Sequence, residues 1–205
     1  MSKFIFTPYD LEKWNQSKER ILFVAPEPNG NQPDGGNHDM GEWFRTASPQ
    51  NNYHGNKNFY MRCYYLMESF NKSSIGVFDN FRLIDLKATP GSGQSNKDDI
   101  HRYVQEHLPE VLKFFQTEDE DFGLSPQIVV LLGGKTQPVF KDLIKPKLQG
   151  TDLKCVGFTH PTAMVNNDAV IQASLKIRDH LRSVNSTMLE KWVYKKDNFD
   201  YWETF

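Results

Sequence analysis

The chain has 205 residues, with 24 Lys and Arg against 26 Asp and Glu; at a formal charge of −2, any contact with a polyanion has to run through a local basic rim. Hydrophobic residues at 38% and aromatic residues at 13% supply a core without metals or disulfides, which excludes an intrinsically disordered chain. The length predicts one domain over 1–205, with a core from about 20 to 184 and an aromatic tail over 185–205.

The opening stretch "MSKFIFTPYDLEKWN" is charged and broken, without the apolar centre of a secretion signal, and no apolar run approaches the roughly 18 residues of a membrane span. A cytoplasmic protein is expected, nucleoid-associated if bacterial. The first predicted strand is "RILFVAP" (20–26). Residues 29–57, rich in Gly, Asn, Asp and Pro, read as a long functional or mobile loop. A helix is expected over 56–71, then a second strand at "FRLIDLKA" (81–88).

Over 98–116, Ile100, Tyr103, Val104, Leu108, Val111, Leu112 and Phe115 recur at spacings of three or four, the stripe of an amphipathic helix that Pro109 should kink or restart. A third strand follows at "PQIVVLLGG" (126–134), a shorter helix at 136–149, and a fourth strand at "LKCVGFTHP" (153–161). Residues 166–184 close the core as a helix opened by Asn166, Asn167 and Asp168. The tail from Glu190 holds Trp192, Tyr194, Phe199, Tyr201, Trp202 and Phe205 and is expected to pack onto the body. The two cysteines, Cys63 and Cys155, stand in apolar settings and read as buried thiols; neither their number nor their spacing suits a metal site.

The four strands are almost continuously apolar, as strands buried on both faces are, and they alternate with helices. This predicts an α/β fold of three αβα layers around a central four-stranded parallel sheet. All carboxyl ends of such a sheet emerge on one edge, where ligands bind. The exits here read "APEPNG", "LKATPGSGQSN", "GGKTQ" and "THPTAM", and two of them carry an ionisable group directly after an apolar run, Glu27 and His160.

Several chemistries fail on these exits. A phosphate-binding loop ending in "GKT" needs glycine where Val129 stands. A zinc deaminase needs P-C-x-x-C and H-x-E, and a serine hydrolase needs G-x-S-x-G; neither pattern occurs.

The order of the exits over residues 20 to 182 resembles the uracil-DNA glycosylase superfamily. Its strand-end motif, G-Q-D-P-Y or G-E-A-P-G in different branches, is met by Ala25-Pro26-Glu27-Pro28-Asn29, and its late H-P-S-P-like motif by His160-Pro161-Thr162-Ala163. "IVVLLGGKTQ" is similar to its third strand. The resemblance implies the fold of that superfamily and a monofunctional DNA N-glycosylase without cofactor or metal. It places Glu27 at the catalytic carboxylate, His160 opposite the departing base, Phe44 of "GEWF" against the extruded base, and Asp85 near the base-reading asparagine, with Pro28 and Asn29 also at the base. It implies DNA, single- or double-stranded with an extruded base, as partner, and a monomer. The candidates for its backbone are Lys87, Ser92, Lys135, Thr162 and Asn166, with Met164 as a wedge into the duplex.

Such residues suit the reaction. Cleaving an N-glycosidic bond develops positive charge on the sugar, which a carboxylate stabilises, and negative charge on the base, which a histidine or helix-end amides stabilise. The chain also departs from the pattern: Ala25 replaces a glycine, Glu27 reaches one methylene further than aspartate, and Asn29 replaces a bulky tyrosine that would exclude 5-substituted pyrimidines. An ionised Asp85 would only accept hydrogen bonds, setting an anion against uracil O4, whereas a cytosine-type edge offers an amine.

Each residue has a plainer reading as well. Glu27 can pair with Lys87 or Arg45, Asp85 can cap backbone amides, and His160 and Phe44 can be packed core groups. Two other functions therefore stand beside the glycosylase: a catalytically inactive base-, nucleotide- or DNA-binding protein on the same fold, and an enzyme acting on free nucleosides.

Overall fold

In the computed structural model the described residues are 11–17, 19–27, 81–88, 96–116, 125–148, 153–158, 167–183, 190–193 and 201–204. The elements are α1 (Leu11–Gln16), β1 (Ile21–Ala25), β2 (Phe81–Asp85), α2 (Lys97–Glu106), α3 (Leu108–Gln116), β3 (Ile128–Leu132), α4 (Thr136–Val139), β4 (Lys154–Phe158), α5 (Asn167–Ser183), β5 (Glu190–Val193) and β6 (Tyr201–Thr204). The sheet order is β2-β1-β3-β4-β5-β6. The four strands expected from apolar runs form a parallel array, each shorter than its run.

The tail goes further than packing onto the body. β5 joins β4 in parallel and β6 returns antiparallel to β5, so the four-stranded parallel sheet is extended to six strands. The helix expected over 56–71 and the loop over 29–57 lie outside the described residues.

All five residues of β1 and of β3 are buried, which is why their sequences show no polar alternation. Leu22, Val24, Ile84, Leu86, Val129, Leu131 and Cys155 share one core cluster with Trp14 of α1, Ile100 and Val104 of α2, and Val111, Phe114 and Phe115 of α3. The alternate residues of the same strands project to the other face, by the period of two along a strand. There Lys154 Nζ donates to the Leu181 carbonyl of α5 at 2.8 Å, which puts α5 on that second face. Helices therefore lie on both sides of the sheet, compatible with three αβα layers.

The helical boundaries have local causes. Asn96 caps α2, its side chain accepting from the Asp98 amide at 2.9 Å, with Asp98 and Asp99 in the first turn where the helix dipole favours them. α2 ends at His107, two residues before Pro109, and α3 begins at Leu108, so the proline starts a second helix. After α4 the helix widens into a π turn, Phe140–Ile144, closed by the Lys145 amide donating to Phe140, and then tightens into a 3₁₀ turn, Lys145–Lys147. Pro146 has no N–H to give to the Asp142 carbonyl, so a regular α-helical ladder cannot continue through it.

Arg20 ties the amino ends of β1 and β3. Its amide donates to Gln127 Oε1 at 2.8 Å, its Nε donates to the Ser125 carbonyl at 3.0 Å, and its carbonyl accepts from the Gln127 amide at 2.9 Å. No helix among the described residues is long and apolar enough to cross a membrane.

Candidate functional site

β2 and β3 lie on opposite sides of β1, and β4 lies beyond β3, so the chain's connections diverge between β1 and β3. In open parallel sheets the crevice beyond the carboxyl ends at such a switch point is where ligands bind. Glu27 leaves β1 at this point, and Gly133, Gly134 and Lys135 leave β3 beside it.

The geometry around Glu27 follows from strand register. β1 and β2 pair with Ala25 opposite Asp85. The ladder runs on past the strand ends, Leu86 N donating to Ala25 O at 2.9 Å and Lys87 N to Pro26 O at 3.1 Å. Two further places along that register set Glu27 beside Lys87. Their side chains form an ion pair, Lys87 Nζ to Glu27 Oε2 at 2.8 Å, with Glu27 only 3% exposed and Lys87 16%.

Leu86, Ile84 and Val24 point to the large core cluster, so Ala25, Glu27, Asp85 and Lys87 share the opposite face by strand alternation. Arg82 keeps to the first face, its guanidinium 5.0 Å over the Trp14 ring.

Asp85 ends β2 at 5% exposure. Burial, and next the neighbouring Glu27 carboxylate, push its carboxyl from 3.8 up to about 7. An ionised Asp85 could only accept hydrogen bonds. Its buried position instead leaves it protonated in a substantial fraction of molecules at neutral pH, and a protonated carboxyl donates as well. Among the described residues the site thus brings together the Glu27 and Asp85 carboxyls and the Lys87 ammonium, with Lys87 paired to Glu27.

The β3 exit is built differently. Gly133 takes φ 86°, a left-handed turn that suits glycine, while its amide donates to Phe158 O at 2.7 Å. Gln137 Nε2 donates to the same carbonyl at 3.4 Å, and Thr136 Oγ1 to Leu132 O at 2.8 Å. The end of β4, two residues before His160, is thereby fastened to the β3 exit. Lys135 is exposed on that exit, and a Cβ added at Gly134 would meet nothing within 4 Å.

The structure therefore brings together Glu27, Asp85 and Lys87, and sets Lys135 on the same sheet edge. Pro28, Asn29, Phe44, Ser92, His160, Thr162, Met164 and Asn166 lie outside the described residues. What residue-by-residue reading missed is the coupling: the Glu27 carboxylate acts on the buried Asp85 carboxyl while Lys87 is paired to Glu27. The signal was present in the equal spacing of Asp85–Lys87 and Ala25–Glu27 along paired strands. Among the described residues, no three His, Cys, Asp or Glu side chains gather as a metal ion requires.

No known family model matches the chain, and a search of curated proteins finds no match either.

Proposed function

We propose that the protein hydrolyses the N-glycosidic bond of an extruded uracil or modified base in DNA, on a fold like that of the uracil-DNA glycosylases. The observation that carries this reading is the Glu27–Asp85 carboxyl pair on adjacent strand exits, set at the sheet's switch point with Lys87 paired to Glu27. Asp85, its carboxyl raised by burial, can serve as an acid beside the lysine-paired Glu27.

In this reading Glu27 is the anion. The Lys87 ammonium orients it, and it stabilises the positive charge that grows on the sugar while orienting the attacking water. Asp85, capable of donating, meets the base. His160, by the resemblance of its motif, faces the leaving base as negative charge develops there. Lys135, exposed on the β3 exit, is placed to meet a phosphate.

The test is release of free base from single- and double-stranded oligonucleotides carrying uracil, hypoxanthine or a 5-substituted pyrimidine. Glu27→Ala is expected to lower the rate by on the order of 10²-fold or more. Absence of release from every substrate by folded protein would overturn the reading.

A second reading is favoured by the Glu27–Lys87 ion pair itself, since a buried carboxylate neutralised by lysine also serves as plain architecture. The protein would then bind a base, nucleotide or DNA without turnover. Binding that survives Glu27→Ala, with no base released, selects this alternative.

A further inference from the structure

Among the described residues, three ionisable groups meet at the β1 and β2 exits, and one of the three reaches solvent. Glu27 and Asp85 are buried, whereas the Lys87 side chain is 16% exposed against 3% for Glu27. The lysine therefore stands on the solvent side of the carboxylate, and a molecule arriving at this edge meets the amine first.

A lysine has two uses in such a place. Protonated, it is a counter-ion; deprotonated, it is a nucleophile toward a carbonyl carbon. The second use needs a base within hydrogen-bond reach, and Glu27 Oε2 lies 2.8 Å from Nζ. Burial of the carboxylate favours the transfer, because moving the proton from Nζ to Oε2 turns two poorly hydrated charges into a neutral amine and acid. An arginine would pair with Glu27 as well but would keep its proton.

We propose that Lys87 is an amine nucleophile for an abasic sugar, with Glu27 as its proton acceptor, so that the protein cleaves the DNA strand by β-elimination as well as releasing the base. The sugar stripped of its base opens to an aldehyde at C1′, with a phosphate ester at C3′. Lys87 Nζ bonds to C1′, and two of its three protons pass through Glu27 to the aldehyde oxygen, which leaves as water. The iminium ion keeps the third proton and the positive charge. Glu27, again a carboxylate, then takes a proton from C2′. The electron pair left there forms the C2′–C3′ double bond as the C3′–O bond breaks and the phosphate departs with its electrons. Water hydrolyses the iminium, returning the amine and releasing an unsaturated aldehyde. The step goes beyond the glycosidase reading, taking that reaction's product as its substrate.

The experiment gives the full chain a single-stranded oligonucleotide carrying a ready-made abasic site, with and without sodium borohydride. Borohydride reduces an iminium to a stable amine. Wild type is expected to yield a covalent protein–DNA complex with the reductant and a cleaved strand without it. Tryptic mapping should find the adduct on Lys87 within residues 83–97, since a modified lysine resists trypsin. Lys87→Arg keeps a cation for Glu27 and should lose the complex altogether. Glu27→Gln should slow its formation by on the order of 10²-fold.

No complex from folded wild type overturns the proposal, as does an adduct confined to other amines, a complex formed by Lys87→Arg, or an unchanged rate in Glu27→Gln. Because the abasic site is supplied, the two activities fail separately. Base release with no covalent complex leaves the glycosidase alone standing, and a Lys87 adduct without base release leaves the elimination alone.

Discussion

Lys87 stands directly across the β1–β2 ladder from Glu27, its Nζ 2.8 Å from Oε2, two register places beyond the pairing of Ala25 with Asp85. The pair is a product of register: a slip of one residue in either strand would turn that strand's side chain to the opposite face of the sheet and part the two.

Removing one partner should cost more than removing both. Lys87→Met leaves Glu27 buried beside Asp85 without its cation, and should destabilise by about 3 kcal/mol, the scale for breaking a buried pair. The double change Lys87→Met with Glu27→Gln should recover at least about 1 kcal/mol of that loss. Urea unfolding of the four proteins of the cycle measures it. A Lys87→Met protein within about 0.5 kcal/mol of wild type would show the pair to be energetically idle.

Asp85 predicts a pH dependence of stability with a definite sign. Its folded value, about 7, lies above its ordinary 3.8. Below the lower value both folded and unfolded chains hold the proton. Between the two only the folded chain holds it, so the contribution of Asp85 to stability falls as pH rises, at a limiting slope of about 1.4 kcal/mol per pH unit. Above the upper value the dependence is flat. Asp85→Asn removes this limb and should be more stable than wild type near pH 8. Thermal melts of both proteins across this range decide the matter, and parallel curves would refute it.

Two adjacent glycines should respond differently to alanine. Gly133 sits at φ 86°, so Gly133→Ala should cost about 1–2 kcal/mol of backbone strain. Gly134 has open space where a Cβ would go, so Gly134→Ala should fall within about 0.5 kcal/mol of wild type. Chemical denaturation of the two single variants tests the contrast.

Cys155 should resist alkylation. It is buried on β4, and burial pushes its thiol up to about 12 against a smaller opposing effect of Lys145. Peptide mapping after iodoacetamide treatment near pH 8 should find Cys155 unmodified in the folded protein and labelled after unfolding in denaturant. Labelling at comparable rates in both states would contradict its burial.

Much of the fold was legible because burial on both faces removes polar residues from a strand. Ile21–Ala25 and Ile128–Leu132 are buried throughout, and their runs announce strands without any alternation. The division of α2 from α3 was legible for a local reason, since Pro109 lacks an amide for the preceding turn. β5 and β6 were not. Their segments "EKWV" and "YWET" hold strand-favouring Trp, Val, Tyr and Thr, but four residues name no pairing partner; β5 is placed by the β4 edge and β6 by β5.

For the site, the sequence alone determined the residue types and their places after strands: Glu27, Asp85 and Lys87 each stand where an apolar run gives way to a turn. Lys87 and Arg45 both stood as candidates to pair with Glu27, and register, a property of two strands together, sets Lys87 against it. The charge of Asp85 belonged to tertiary structure still more completely. A carboxyl's proton depends on the water and charges around it, and those are set only when the sheet has assembled and been covered on both faces.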